Sequence, residues 1–160
     1  MAESFAPEAI AQRTRGEASL QPMDGSDQDA ALRLTIEAAR LLQDRHCENI
    51  VAFDVAGLSP VTDYVVIASG TSDRQVRSVG HEVATLAKSK GFPRLGSDRD
   101  EDYRWFVVDF GAVMLHLFEP VTRGHYDLEM LWGDAKRVKW RRLPQSPDHT
   151  APTPDPASRG

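Results

Sequence analysis

The stretch DYVVIASGTSDRQVRSVGHEVATLAKSKG, residues 63–91, decides the fold. Its first part, residues 64–68, is a short, mostly β-branched apolar run, which is typical of a strand covered on both faces. Ser72 and Gln75 have the spacing of a capping box, so a helix is predicted to begin at Ser72. Gly91 can adopt the left-handed conformation that ends a helix. Between these ends, apolar residues at steps of three and four form one stripe: Val76, Val79, Val83, Leu86 and Ala87.

Four further segments extend this unit in both directions. Residues 104–109 are predicted to be the strand to which the helix returns, parallel to the first strand after a right-handed crossover. Residues 50–55 are predicted to be an antiparallel neighbour of the first strand, because only a short turn with Gly and Pro connects the two. Residues 113–118 are predicted to form a strand antiparallel to residues 104–109, across a tight turn at Gly111. Residues 92–102 are predicted to be a loop.

Helices complete the predicted fold. One is predicted from Ser26 to about His46, and a short one is predicted over residues 126–132. The fold is therefore predicted to be α/β, with a single mixed sheet of about four to five strands and helices packed on it. The domain is predicted to cover residues 26–143, between disordered tails at residues 1–25 and 144–160 that lack periodic apolar residues.

Length, charge and cysteine usage limit the class of protein. The 160 residues suit one domain, and the net charge of -5 argues against binding of nucleic acid by the whole surface. A single cysteine, Cys47, excludes an intramolecular disulfide and fits a reducing compartment. No apolar run approaches the roughly 20 residues that a membrane helix needs. We therefore expect a cytoplasmic protein with no membrane association.

Two short motifs are compatible with enzyme chemistry. Asp109-Phe110-Gly111 spells the magnesium motif of protein kinases, but the remaining kinase motifs are absent, which favours a hairpin turn. Residues 70–72 (GTS) open a helix after a buried strand and could bind a phosphate, as in nucleotidyltransferases, with Asp109 as the acidic residue. One carboxylate cannot hold two metal ions, so helix capping without a ligand is the favoured interpretation. We predict no catalytic residue, no cofactor and no metal.

Histidine, aromatic and basic residues leave three alternatives open. His116 alternates with apolar neighbours on the fourth strand, and a hydrogen-bonded histidine on a sheet face is favoured over a catalytic one. Trp105 begins a strand with two apolar faces, so its ring is either exposed for a protein contact or covered by a second helix layer. The basic residues around Trp140 either contact phosphates, with Trp140 stacking on a base, or form a solvated terminus; they are Lys136, Arg137, Lys139, Arg141 and Arg142.

Three blocks of the sequence resemble the Iojap-type ribosomal silencing factors (RsfS). The first block is VTDY at residues 61–64 with IASGTSDRQV at residues 67–76. The second is WFVVDFG at residues 105–111 with the strand at residues 113–118. The third is YDLE and LWGDA, between residues 126 and 135. The blocks follow the order and spacing of that family over about residues 28–138.

The resemblance implies a function without chemistry. The family fold is a mixed α/β sheet similar to nucleotidyltransferases but without their catalytic acids. The resemblance implies that the protein binds the fourteenth protein of the large ribosomal subunit. This binding is expected to block joining of the small subunit and to repress translation when nutrients run short. The residues expected at this contact are Trp105, Asp109, Phe110, His116, Tyr126 and Trp132.

Further expectations accompany this one. A minor contact with ribosomal RNA is expected from Lys136, Arg137 and Lys139. The sequence leaves open whether the free protein forms a homodimer. Two alternative functions remain, a nucleotidyltransferase-like enzyme and an assembly factor for the large subunit.

Overall fold

The computed structural model describes residues 25–120 and 133–143 of the chain. Within these ranges the chain forms two helices and six strands. In chain order they are α1 (Gly25–Asp44), β1 (Glu48–Asp54), β2 (Tyr64–Ser69), α2 (Asp73–Ser89), β3 (Gly96–Arg99), β4 (Trp105–Asp109), β5 (Val113–Phe118) and β6 (Lys136–Arg137). The predicted tails and the short helix predicted over residues 126–132 lie outside the described residues, as do Tyr126 and Trp132.

The six strands form one mixed sheet in the order β3-β4-β5-β2-β1-β6. The α/β class and the single mixed sheet are therefore confirmed, and so are the two antiparallel pairings, β1 with β2 and β4 with β5. The strand parallel to β2 is β5, in continuous register from Tyr64 opposite Val113 to Ser69 opposite Phe118. Because β4 is antiparallel to β5, the prediction that residues 104–109 run parallel to the first strand is wrong.

The path of the chain after α2 explains this error. The chain first reaches the far edge of the sheet as β3, and two successive antiparallel pairings then bring β5 beside β2. Both β4 and β5 are short apolar runs, so composition does not distinguish which of them pairs with β2. The backbone of Ala112 helps to fix the choice, since its carbonyl accepts hydrogen bonds from the N–H groups of Asp63 and Tyr64 at 3.0 and 2.9 Å.

Two short edge strands raise the strand number above the prediction. Residues 96–99 were predicted to be part of a loop, but they form β3, which pairs with β4 from Gly96 opposite Asp109 to Arg99 opposite Phe106. This strand (GSDR) contains no apolar side chain, so the sequence gives no strand signal. It is held by pairing with the backbone of β4 and by the guanidinium of Arg99, which lies over the ring of Tyr103 at 4.5 Å from its centroid. The other is β6, which pairs with the end of β1.

Helix α2 follows its predicted signals closely. Ser72 is the N-cap, and its side-chain oxygen accepts a hydrogen bond from the backbone N–H of Gln75 at 3.1 Å. Gly91 has a φ of 88°, and the N–H of Phe92 reaches back to the carbonyl of Ala87 at 2.8 Å. Four residues of the predicted apolar stripe are buried, namely Val76, Val79, Val83 and Ala87, whereas Leu86 is half-buried at the edge of the core.

Both helices pack on the same face of the sheet. Leu34 and Leu42 of α1 join Val79 and Val83 of α2 in one core cluster with Phe106 of β4. The opposite face is also buried, through two smaller clusters built from alternate residues of β1 and the residue after it, β2, β4 and β5; these residues are Phe53, Val55, Val65, Ile67, Val107, Met114 and Phe118. Every residue of β2 is buried, which confirms that this strand is covered on both faces. No helix within the described ranges is long and apolar enough to cross a membrane.

Candidate functional site

The predicted contact residues concentrate in the hairpin formed by β4 and β5, residues 105–118. Side chains alternate between the two faces of a strand, so Trp105 and Asp109 of β4 share one face, and the register places His116 of β5 on the same face. Phe110 packs instead in the core cluster under the helices. The structure therefore brings three of the predicted residues together on the sheet face that α1 and α2 do not cover, which we call the hairpin face.

Trp105 lies at the rim of the hairpin face. It is half-buried and packs against two small clusters, the one with Phe118, its partner in the register, and the one with Val107 on its own strand. The two alternatives for this ring are exposure for a protein contact and coverage by a second helix layer, and the structure shows a half-buried ring between the two. A half-buried tryptophan keeps part of its ring available to a partner while its packing fixes the orientation of the rest.

Asp109 holds the turn of the hairpin. Its side chain is fully buried, and its Oδ1 accepts a hydrogen bond from the backbone N–H of Gly111 at 2.7 Å. The N–H of Phe110 donates to the carbonyl of Val113 at 2.9 Å, and Gly111 takes a φ of 85° that favours glycine. The motif Asp109-Phe110-Gly111 is therefore a hairpin turn, as predicted.

His116 is a buried histidine on the hairpin face. It is only 3 % exposed, and its ring stacks on that of Phe118 with 6.3 Å between the ring centroids. Nδ1 has no hydrogen-bond partner among the described residues, so the predicted hydrogen bond is not found at that atom. Burial lowers the pKa of His116 to about 4, because a charged imidazolium would lose its hydration there. The ring is therefore neutral at pH 7.

The loop at residues 70–72 is closed by its own side chains. The Oε1 atom of Gln75 accepts hydrogen bonds from the backbone N–H and the hydroxyl of Thr71, while its Nε2 donates to the carbonyl of Arg45 at 2.6 Å. A Cβ atom at Gly70 would lie 2.6 Å from a methyl group of Val76, so the glycine is required by close packing. The backbone N–H groups of Thr71 and Gln75, which could otherwise bind a phosphate, are thus already bonded to side chains of the cap.

The parts of a nucleotidyltransferase site lie at opposite ends of the sheet. The loop at residues 70–72 follows Ser69, which pairs with Phe118 at the end of β5, whereas Asp109 pairs with Met114 near its start. Four residues of strand separate these two levels, or about 13 Å. Among the described residues, no group of three or more His, Cys, Asp or Glu side chains could hold a metal ion.

The basic segment at residues 136–142 is a docked element. Trp140 is buried, 6 % exposed, and belongs to the core cluster beside α1, so neither alternative describes it: its ring is covered in the folded chain, and the segment is not a free solvated terminus. Arg40 donates through Nε to the carbonyl of Trp140 at 2.8 Å, and Arg142 forms two bonds to the carboxylate of Asp44 at 2.8 and 2.9 Å. The hydrogen bond from Arg142 lowers the pKa of Asp44.

Sequence reasoning missed this anchor, although a signal was present. Val138 and Trp140 alternate with charged residues at a period of two, which is typical of a half-buried extended chain. The five basic side chains between and around them are exposed, and this run of charge masks the alternation in the sequence.

Comparison with known proteins identifies the family. The fold is that of a mixed-sheet α/β protein. Its two transferase-like features, the loop at residues 70–72 and Asp109, do not come together in one site. The family profile described as "Ribosomal silencing factor during starvation" (RsfS) matches residues 28–159. This protein belongs to that family, which confirms the resemblance of the three sequence blocks.

Relatives and a solved structure agree with this assignment. The chain is 39% identical over 98 residues to the ribosomal silencing factor RsfS of Bacillus subtilis, covering 61% of this chain and 83% of the relative. It is 34% identical over 127 residues to the mouse "Mitochondrial assembly of ribosomal large subunit protein 1", covering 76% of this chain and 54% of that one. A crystal structure of a protein from Chromobacterium violaceum aligns with a TM-score of 0.58 at 30% identity, over 78% of this chain and 95% of the other. Family and relatives support a role in ribosomal silencing.

Proposed function

We propose that this protein binds the large ribosomal subunit through its fourteenth protein and blocks joining of the small subunit, which represses translation in the cytoplasm. Membership of the ribosomal silencing factors supports the role, and the name of the mouse relative supports the choice of the large subunit. The observation that carries the contact is the half-buried Trp105 at the rim of the hairpin face. Large aromatic side chains at the centre of an interface often contribute 2 kcal/mol or more to binding.

The predicted contact residues divide by burial into two roles. Trp105 touches the partner, because part of its surface is accessible. Asp109, Phe110 and His116 are buried, so they act as positioning residues that fix the shape of the hairpin. Tyr126 and Trp132 remain predicted contacts. No step in this function requires catalysis, a cofactor or a metal.

The test compares two variants with the wild type in sedimentation with purified large subunits. Trp105→Ala is expected to weaken binding by about 30-fold or more, since each 1.4 kcal/mol corresponds to a factor of about ten. Leu58→Ala is the control, because Leu58 is 54% exposed and lies in the turn between β1 and β2, outside the hairpin. It is expected to bind like the wild type.

Thermal melting of the same samples separates a lost contact from lost folding. Trp105 packs on two clusters, so its truncation is also expected to lower the melting temperature moderately. A folded Trp105→Ala variant that binds at full strength and still blocks subunit joining would show that this residue is not in the contact.

An assembly role is the second candidate, and the name of the mouse relative favours it. Both roles use the same contact with the large subunit. Depletion of the protein distinguishes them: loss of a silencing factor leaves maturation of the large subunit unchanged, whereas loss of an assembly factor leads to accumulation of immature large subunits.

A further inference from the structure

A concave basic surface lies on the outer side of α1, away from the hairpin. It is a pocket of about 440 Å³ between α1 and the end of α2. The residues that line it are Ala30, Arg33, Ile36, Glu37, Arg40 and Lys90, and we call this the basic groove. Three cations and one carboxylate thus surround an apolar floor, in a chain whose net charge is -5. The positive charge is local, so it is not a property of the whole surface.

The single carboxylate in the groove, Glu37, forms an ion pair with Lys90. Its Oε1 accepts from Lys90 Nζ at 3.1 Å, and its Oε2 is buried without a hydrogen-bond partner among the described residues. Glu37 therefore orients Lys90 and is itself half-buried, while Arg33 is exposed. The groove offers cations to a ligand.

The groove continues into the basic segment at residues 136–142. Arg40 lines the groove and also donates to the carbonyl of Trp140, so the two surfaces meet at this residue. The burial of Trp140 and the pair of Arg142 with Asp44 hold the segment against α1. Lys139 and Arg141 are exposed beside this anchor. Cations from α1, from the end of α2 and from the segment therefore form one continuous surface.

We propose that this continuous surface binds the phosphate backbone of RNA in the large ribosomal subunit. The inference rests on the proposed function and adds to it a second contact that does not use the hairpin face. Cations spaced along a groove suit a partner with regularly spaced negative charges, and a phosphodiester chain is such a partner. Arginine is well suited to this contact, because its guanidinium can donate two parallel hydrogen bonds to one phosphate.

The test measures the affinity of the full chain for purified RNA of the large subunit at several salt concentrations. Arg33→Ala and Lys90→Ala each remove one cation of the groove, and both residues are exposed. Each variant is expected to bind more weakly and to reduce the slope of log affinity against log salt by about one. Arg40 is not used, because its loss would also release Trp140.

Arg74→Ala is the matched control. Arg74 is an exposed residue in the first turn of α2, 16 positions before Lys90 and therefore about 24 Å from it along the helix. The substitution makes the same change in net charge. It is expected to leave the affinity and the salt slope at the wild-type values.

A second measurement uses the isolated fourteenth protein of the large subunit, without RNA. Groove variants are expected to bind this isolated protein like the wild type. If the wild-type chain itself fails to bind it, the proposed function is contradicted, but the result with RNA still stands. Wild-type RNA affinity in the groove variants, an equal loss in Arg74→Ala, or no RNA binding by the wild type would each overturn the inference. Groove variants that lose only the affinity for the isolated protein would assign the groove to a protein partner and would overturn it too.

Discussion

The two faces of the sheet are both buried, but they differ in the groups that they bury. The face under α1 and α2 takes mainly apolar side chains from the sheet, and the ionisable groups in its cluster are the phenol of Tyr64 and the thiol of Cys47, whose pKa values burial raises. A buried hydroxyl there is satisfied, since Thr35 Oγ1 donates to the carbonyl of Ala31 at 2.8 Å. The hairpin face buries a carboxyl group and an imidazole, those of Asp109 and His116, and keeps Trp105 half-buried at its rim.

This difference separates buried groups that the stability of the fold explains from buried groups that it does not explain. An apolar core is sufficient for stability, and burial of an ionisable group costs free energy unless other interactions offset it. Stability alone therefore explains the helix-covered face. The hairpin face retains two groups whose burial costs free energy, Asp109 and His116, and both are among the residues expected at the ribosome contact from the resemblance. We infer that a second requirement, the shape of the hairpin, constrains its sequence.

The largest effect tests whether the two faces are equally closed. Phe106 lies under the helices and is 2% exposed, while Phe118 lies on the hairpin face and is fully buried. Phe106→Ala and Phe118→Ala are each expected to lower the free energy of unfolding by about 3–5 kcal/mol, the usual cost of removing a buried phenylalanine. Urea titration measures both. A cost below about 1 kcal/mol for Phe118→Ala alone would show that the hairpin face is open.

The second effect is a pH dependence that belongs to the hairpin face. The pKa of His116 is about 4 in the folded chain, against 6.5 for an unperturbed histidine. Between these values the unfolded chain binds the proton and the folded chain does not, so stability rises with pH in that window. The free energy of unfolding is therefore expected to fall as the pH falls from 6.5 to 4, by roughly 3 kcal/mol at most from this group.

His116→Leu isolates this contribution. Urea unfolding of the wild type and of the variant is measured at pH 7 and at pH 5. Protonation of all other groups affects both chains equally, so the difference between them reports His116. The wild type is expected to lose more stability than the variant between these values. Equal losses would mean that the His116 ring is hydrated or protonated in the folded chain, which would contradict the closed state of the hairpin face.

Local signals predicted the parts of the fold that depend on neighbouring residues. The cap at Ser72, the left-handed residue at Gly91 and the apolar stripe of α2 all involve residues within a few positions of one another. The parallel partner of β2 was predicted wrongly, because strand order is decided by pairing between distant residues. The edge strand β3 has no apolar side chains, and the anchor Trp140 lies within a run of charge.

The candidate site was predictable in part for the same reason. The resemblance supplied the residues of the hairpin, and the alternation of side chains places Trp105 and Asp109 on one face once β4 is known to be a strand. Whether a residue on that face is buried depends on what packs over the sheet, and no local pattern contains this information. In the function that we propose, burial is what divides Trp105, as the contact residue, from Asp109 and His116, as positioning residues.

The smallest effect tests that division at Asp109. Asp109→Ala removes the acceptor for the N–H of Gly111 in a buried turn, and it is expected to lower the free energy of unfolding by about 1–3 kcal/mol. Asp109→Asn keeps an Oδ1 atom in the same place, so it is expected to cost less than half as much.

If Asp109 only positions the hairpin, affinity for the large subunit should follow stability: Asp109→Ala binds more weakly, and Asp109→Asn restores both quantities. Urea titration and sedimentation with large subunits measure the two quantities on the same samples. An Asp109→Asn variant that is as stable as the wild type but does not bind would show that the carboxylate itself touches the partner. The hairpin face would then have to open on binding, because this carboxylate is fully buried in the free chain.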